Sequence, residues 1–248
     1  MVPDPPLPSR PSKRSDAIVA TIKSEIVNHR MRPGDRLPTE RELIDQHNAA
    51  RGTVREALKS LEALGLVARR RGPSGGARVT SLSHEHASQV LRCFFYFEGL
   101  SWSEVYAVRR CLEPEMAALV SQSLTREACH TLEETLEAGR DANATRQARR
   151  IAELRFHEVL AEQCPNALLR FLCLFIDALL RDFIDADDVL ATDGDHFAAC
   201  TLRAHREILA ALWQGDSEAV RARMAAHIEE AGAIIADQTQ RRADQPLI

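Results

Sequence analysis

Three histidines and one glutamate carry the first suggestion of chemistry. His157, His205 and His227 fall on three separate helical patterns, and Glu153 precedes His157 by four residues, so those two share a helix face. One carboxylate and three imidazoles form a donor set suited to Zn²⁺, Ni²⁺ or a similar divalent ion. The competing reading is plain: the chain has nine histidines, and an isolated one is more often a hydrogen-bonded core or surface residue. A second set is cationic. Arg51 and Arg55 stand one turn apart at the start of a short helical pattern, with Thr53 between them and Arg41 on the pattern before. Arginine forks match guanine O6 and N7, although a lone arginine on a helix face is usually just solvated.

The elements that must position these residues divide the chain by charge. Residues 1–80 hold 15 Lys+Arg against 9 Asp+Glu, a net of +6, whereas residues 81–248 carry a net of −10. A basic half of this kind suits a polyanion. After a Pro-rich start, Ile18, Ile22 and Ile26 mark a helix that Pro33-Gly34 ends. Thr39 and Glu42 form a capping box for a short helix to about Asn48. A second helix starts near Arg51, carries Val54, Leu58 and Leu61 on one face, and stops at Gly65. Two short helices around a tight turn read as a helix-turn-helix. Leu66-Val67-Ala68 and Arg78-Val79-Thr80 then flank the run Arg69-Arg70-Arg71 and a Gly-rich turn, which predicts a β-hairpin wing.

Beyond Ser83 the pattern is helical, with helices near 84–97, 102–121, 125–140, 145–163, 167–186, 195–214 and 216–240. Short connections imply an antiparallel bundle. The predicted fold is therefore mostly α: an N-terminal winged helix-turn-helix with a small β-hairpin wing, and a C-terminal all-helical antiparallel bundle. The expected division is a disordered Pro-rich arm (1–11), a DNA-binding domain (12–80), a linker (81–86), a helical effector-binding and dimerisation domain (87–240) and a tail (241–248).

Composition excludes several classes. Aromatics are only 5%, too few for an all-β chain. The apolar stretch Ala167–Ile184 is interrupted by Arg170, Asp177 and Arg181, so it suits a buried helix and not a membrane span. The start MVPDPPLPSR has no apolar signal region. The six cysteines (Cys93, Cys111, Cys129, Cys164, Cys173 and Cys200) include no Cys-x-x-Cys pair. They read as reduced thiols, and a cytoplasmic protein is expected.

The stretches Arg32-Pro-Gly-Asp-Arg-Leu-Pro-Thr-Glu-Arg-Glu-Leu43, Arg51-Gly-Thr-Val-Arg-Glu-Ala-Leu58 and Leu61-Glu-Ala-Leu-Gly-Leu-Val67 resemble the winged-helix head of GntR-family transcription regulators. That resemblance covers about Asp16 to Val79. It implies that Arg41, Arg51, Thr53 and Arg55 meet DNA from the helix-turn-helix, and that Arg71 and Gly72 do so from the wing tip. Ala50 departs from the family's usual Ser or Thr, which would cap the recognition helix, and Gly52 replaces a bulkier residue. Residues 90–236 resemble more loosely the FCD ligand domain of the FadR subfamily. The similarity rests on Val105–Pro114, Arg155-Phe-His157, His205–Leu209, Gly215–Ala219 and Met224–His227.

In many FCD proteins an acid and three histidines share a metal. The resemblance implies a divalent ion, Zn or Ni, on Glu153, His157, His205 and His227, with Glu153 in place of the usual Asp. It also implies that Arg109 faces the cavity and pairs with an acid ligand; the alternative is an i,i+4 salt bridge to Glu113. The expected function is a ligand-responsive DNA-binding transcription regulator, a repressor by family habit. It would be a homodimer on a palindromic operator of double-stranded DNA, sensing a small organic acid, with no membrane partner and no catalysis. The effector would couple to DNA through the polar junction Thr80–His86. The alternative is a helical metal-dependent hydrolase with an appended nucleic-acid-binding head. The chain shows no His-Glu-x-x-His or phosphate loop to support it. A winged helix used only for protein contact fits poorly with the +6 half.

Overall fold

A computed structural model describes residues 14–70, 76–80, 84–141, 144–186 and 194–241. The chain divides into two compact units, Met1–Ala87 and Ser88–Ile248.

The first unit holds α1 (Arg14–Asn28), α2 (Glu40–His47), α3 (Arg51–Ala63), β1 (Val67–Arg70) and β2 (Gly76–Val79). The expected capping box is present: Thr39 Oγ1 accepts from the Glu42 amide, and Glu42 accepts from the Thr39 amide at 2.7 Å. This satisfies two amide donors at the helix entry that have no partner inside the helix. The turn to α3 is made by Asn48 in the left-handed region (φ 41°), whose amide donates back to Asp45 and Ile44. Asparagine tolerates that region better than most residues. Ile18, Ile22, Leu43, Val54, Leu58, Leu61, Val67 and Val79 bury one apolar core. β1 and β2 are antiparallel, with Val67 opposite Val79 and Arg70 opposite Gly76. The ladder thus runs further than expected and takes in Arg69, whose guanidinium holds Glu62. Residues 71–75, which include Arg71 and Gly72 of the wing tip, lie outside the described residues, as does the Pro-rich arm.

Then follow α4 (His84–Glu98), α5 (Trp102–Ser121), α6 (Arg126–Arg140), α7 (Arg146–Glu162), α8 (Ala167–Ala186), α9 (Gly194–Gln214) and α10 (Ser217–Arg241). The start of α4 claims His84–His86, so the second half of the expected linker is helical; residues 81–83 lie outside the described residues. Hydroxyl caps open α5, α6 and α7 at Ser101, Thr125 and Thr145. The bundle packs α5 on α10, α6 on α7, α7 on α8 and α9 on α10. Its core includes Trp102, Tyr106, Phe156, Leu160, Phe183, Phe197 and Ile228. Gly232 permits the close approach of α10 to α5, because a Cβ there would meet the Tyr106 ring at 3.1 Å. That contact helps set α10, which carries His227, against α5, which carries Arg109 and Glu113. No helix among the described residues is long and apolar enough to cross a membrane.

Candidate metal centre

α7 brings Glu153 and His157 to one inward face, α9 brings His205, and α10 brings His227. Their ligand atoms lie within 4.8 Å of one another. The three Nε2 atoms form a triangle: His205 is 3.1 Å from both His157 and His227, and His227 is 3.2 Å from His157. All three imidazoles are buried. His205 is fixed further by stacking on Phe156, with ring centroids 4.0 Å apart and planes at 9°.

The charges around this triangle suit it to a cation. His157 Nδ1 lies 2.7 Å from Glu113 Oε2, out of line for a hydrogen bond, and the adjacent carboxylate favours the imidazole proton on Nδ1, with Nε2 left as a lone pair. Burial, and then the neighbouring imidazoles, push the His205 and His227 pKa values well below the ordinary histidine range. Neutral imidazoles are the form that binds metal. Zn–N bonds of about 2.0–2.1 Å in a tetrahedron put the nitrogens about 3.3 Å apart, close to the triangle seen. Glu153 Oε1 is buried and has no hydrogen-bond partner. An unpartnered carboxylate oxygen beside three imidazole nitrogens fits a divalent ion, with Glu153 taking the acid's place.

Behind the histidines lies a polar chain that sequence reasoning registered only in part. The Arg109 guanidinium, wholly buried, pairs through Nε and Nη2 with both oxygens of Glu113. Glu113 in turn meets His157. Burial works against ionising Glu113, but Arg109 and then His157 outweigh it, holding the carboxyl well below its usual range. Of the two expectations for Arg109, the i,i+4 salt bridge is the one present. The guanidinium is bound to Glu113, yet its Nη1 is buried without a hydrogen-bond partner. Asp177 on α8 is also buried, and neither of its oxygens has a hydrogen-bond partner. Burial, with the Glu113 charge next, raises its pKa well above the usual carboxylate range. The one hint of it in the sequence was a charge interrupting an apolar run.

In the head, Arg51 and Arg55 project from the first turns of α3, with side chains 76% and 58% exposed. Both approach Glu40 of α2, at 4.0 and 3.7 Å. Arg41 is exposed on α2, and Thr53 is half-buried. Ala50 is the N-cap of α3 and makes no side-chain cap bond.

Comparison with known proteins matches residues 14–79 to the gntR family of bacterial regulatory proteins and residues 104–230 to the FCD domain. The chain is 25% identical over 209 residues to the galactonate operon transcriptional repressor of Escherichia coli, covering 83% of this chain and 90% of that protein. It is 27% identical over 157 residues to the HTH-type transcriptional regulator LutR of Bacillus subtilis, covering 63% of this chain and 71% of LutR. Among solved structures, a Streptococcus agalactiae GntR protein shares the fold with a TM-score of 0.59 at 22% identity, over 89% of this chain and 99% of that one. These families and relatives are transcription regulators and not enzymes, which sets aside the hydrolase alternative. The chain belongs to the GntR family, in its FadR-like branch with an FCD effector domain, and is a DNA-binding transcription regulator.

Proposed function

We propose that this regulator is a cytoplasmic repressor that binds a short palindromic operator as a homodimer. It senses a small carboxylate through a divalent ion, zinc or nickel, held by Glu153, His157, His205 and His227. The observation that carries the sensing half is the buried triangle of imidazole nitrogens with an unpartnered Glu153 oxygen beside it. A bound ion would supply a Lewis-acidic position for a carboxylate oxygen. The protein's own part is to fix His157 through Glu113, to exclude water by burial, and to present Arg109 Nη1 as a donor for an acid group.

DNA is met by Arg41, Arg51, Thr53 and Arg55 of the helix-turn-helix and by Arg71 and Gly72 of the wing. Glu40 does not oppose this much, since exposed ion pairs contribute little and phosphates can displace it. One recognition helix per chain supports a two-fold assembly on a two-fold site. The apolar face of α4 supports it too: Val90, Phe94 and Phe97 are exposed, Phe97 by 84%, and a second copy covering them would remove that cost. The repressor reading draws on the galactonate operon repressor, whose name also associates it with a carboxylate.

The test combines metal analysis of purified protein, thermal shifts with small organic acids and operator binding. Effector should change operator affinity about 5–150-fold, and operator should change effector affinity by the same factor. His205→Ala should lose metal and effector response while keeping effector-free operator binding. A His205→Ala protein that still answers the effector in full would overturn the metal-sensor reading.

A further inference from the structure

In the head, Arg51 and Arg55 share one acid. Both approach Glu40, the first residue of α2, and both do so through Nε: Arg51 Nε lies 4.0 Å from Oε2, and Arg55 Nε lies 3.7 Å from Oε1. The carboxylate thus turns one oxygen to each guanidinium. Its side chain is 34% exposed, less than that of either arginine. The entry to α2 does not depend on it, because Thr39 and Glu42 already make the capping box. Glu40, Arg55, Lys59, Glu62 and Arg69 line one groove of the head. Within that groove Glu62 is taken, accepting from Arg69 Nε and Nη2 at 2.9 and 2.6 Å. That leaves Glu40 as the acid of the groove that faces the arginines of α3.

We infer that Glu40 is a specificity-determining residue for DNA. It engages the Nε side of Arg51 and Arg55, which leaves their Nη1–Nη2 ends for guanine, and it sets a negative charge where a phosphate would otherwise settle. The inference rests on the proposed DNA contacts of Arg51 and Arg55. An arginine fork fits a phosphate as well as a guanine edge. Phosphate contacts carry no sequence information, so arginines drawn to phosphate add affinity to every duplex alike. Glu40 separates the two partners by charge. Guanine O6 and N7 belong to a neutral base and meet the outer fork without disturbing the carboxylate. A phosphate must come beside that carboxylate or displace it, and the repulsion weakens the wrong complex more than the right one. The pairs are long and exposed, so Glu40 adds little to stability. Its effect lies in the difference between two complexes.

The experiment uses the full chain and two duplexes of about 30 base pairs, long enough for two half-sites. One is selected by the wild-type protein from a randomised pool, and the other is a scrambled sequence of the same composition. Anisotropy titrations over a salt series give the affinity ratio and the salt slopes. Glu40→Gln should bind the scrambled duplex more tightly and lower the ratio about three- to tenfold, with a steeper salt slope on the scrambled duplex. Glu40→Asp keeps the charge, so its ratio should fall by less. Neither substitution should shift the melting temperature appreciably, which separates this role from a structural one. With Arg51→Ala and Arg55→Ala already in place, Glu40→Gln should raise the scrambled affinity far less, because the cations it restrains are gone. A Glu40→Gln protein with the wild-type ratio, or one that gains equally on both duplexes, would overturn the inference alone. Wild-type protein that enriches no sequence would overturn the proposed DNA contacts and this inference with them.

Discussion

The residues proposed to meet DNA stand outside the head's core: Arg51 and Arg55 project into solvent above Val54, Leu58 and Leu61, which are buried. In the bundle the arrangement is inverted. Arg109, Glu113, His157, His205 and His227 are buried, among Phe156, Met224 and Ile228. A polyanion is met at a surface, and its recognition needs long exposed cations. A small acid or a metal ion is held by being surrounded, so its ligands must sit in the core and be satisfied there. Function and stability should thus separate in the head and coincide in the bundle.

The strongest break of that contrast would come from Glu113→Ala. It strands the buried Arg109 guanidinium and releases His157 Nδ1, and removing one partner of a buried pair costs about 3–5 kcal/mol. Thermal denaturation should show the loss, and metal affinity should fall with it. A Glu113→Ala protein as stable as wild type would mean that the bundle's polar chain is not structural. Next comes Arg51→Ala in the head. Operator binding should weaken by about 1–3 kcal/mol, while the melting temperature reflects a change within about 0.5 kcal/mol. Unchanged operator binding would misplace the recognition helix.

Asp177→Asn sharpens the bundle side through pH. The folded protein raises the Asp177 pKa above its unfolded value near 3.8, so its stability contribution is full below that value and is lost as pH rises. The asparagine variant lacks this loss. Its melting temperature relative to wild type should therefore climb as pH rises above about 4 in metal-free protein. A difference that stays flat with pH would contradict a neutral, unpartnered Asp177. The smallest effect belongs to Ala50→Ser, which supplies the missing cap of α3. It should stabilise the head by about 0.5–1 kcal/mol, and denaturant melts would detect it. No gain would mean that the α3 entry amides are already satisfied.

Much of this was legible in advance because it is local. The Thr39–Glu42 box, the Asn48 turn and the i,i+4 apolar rows each lie within a few residues, and backbone geometry turns them directly into helices and turns. The spacing of Glu153 and His157 likewise predicted one face of α7. Where the sequence misled slightly, pairing across the chain decided: Arg69 joined β1 because its partner strand reached Ala77, and α4 began at His84, inside an expected linker.

By itself, then, the sequence determined the elements, the exposed arginine register of α3 and, through its resemblance to a family, which side chains could ligate an ion. Tertiary structure alone decided how those side chains are held. Glu113 was visible only as a neighbour of Arg109 at i+4; the packing of α5 on α7 makes it the bridge between Arg109 and His157. Arg150 gave no signal in the sequence; α9 brings Phe197 beneath it, and its Nη1 is buried without a hydrogen-bond partner. The physical reason is range. Caps and periodicity follow from dihedral angles a few residues apart, whereas burial and pairing of charge depend on helices far apart in the chain, such as those carrying Arg110 and Glu229, meeting in space.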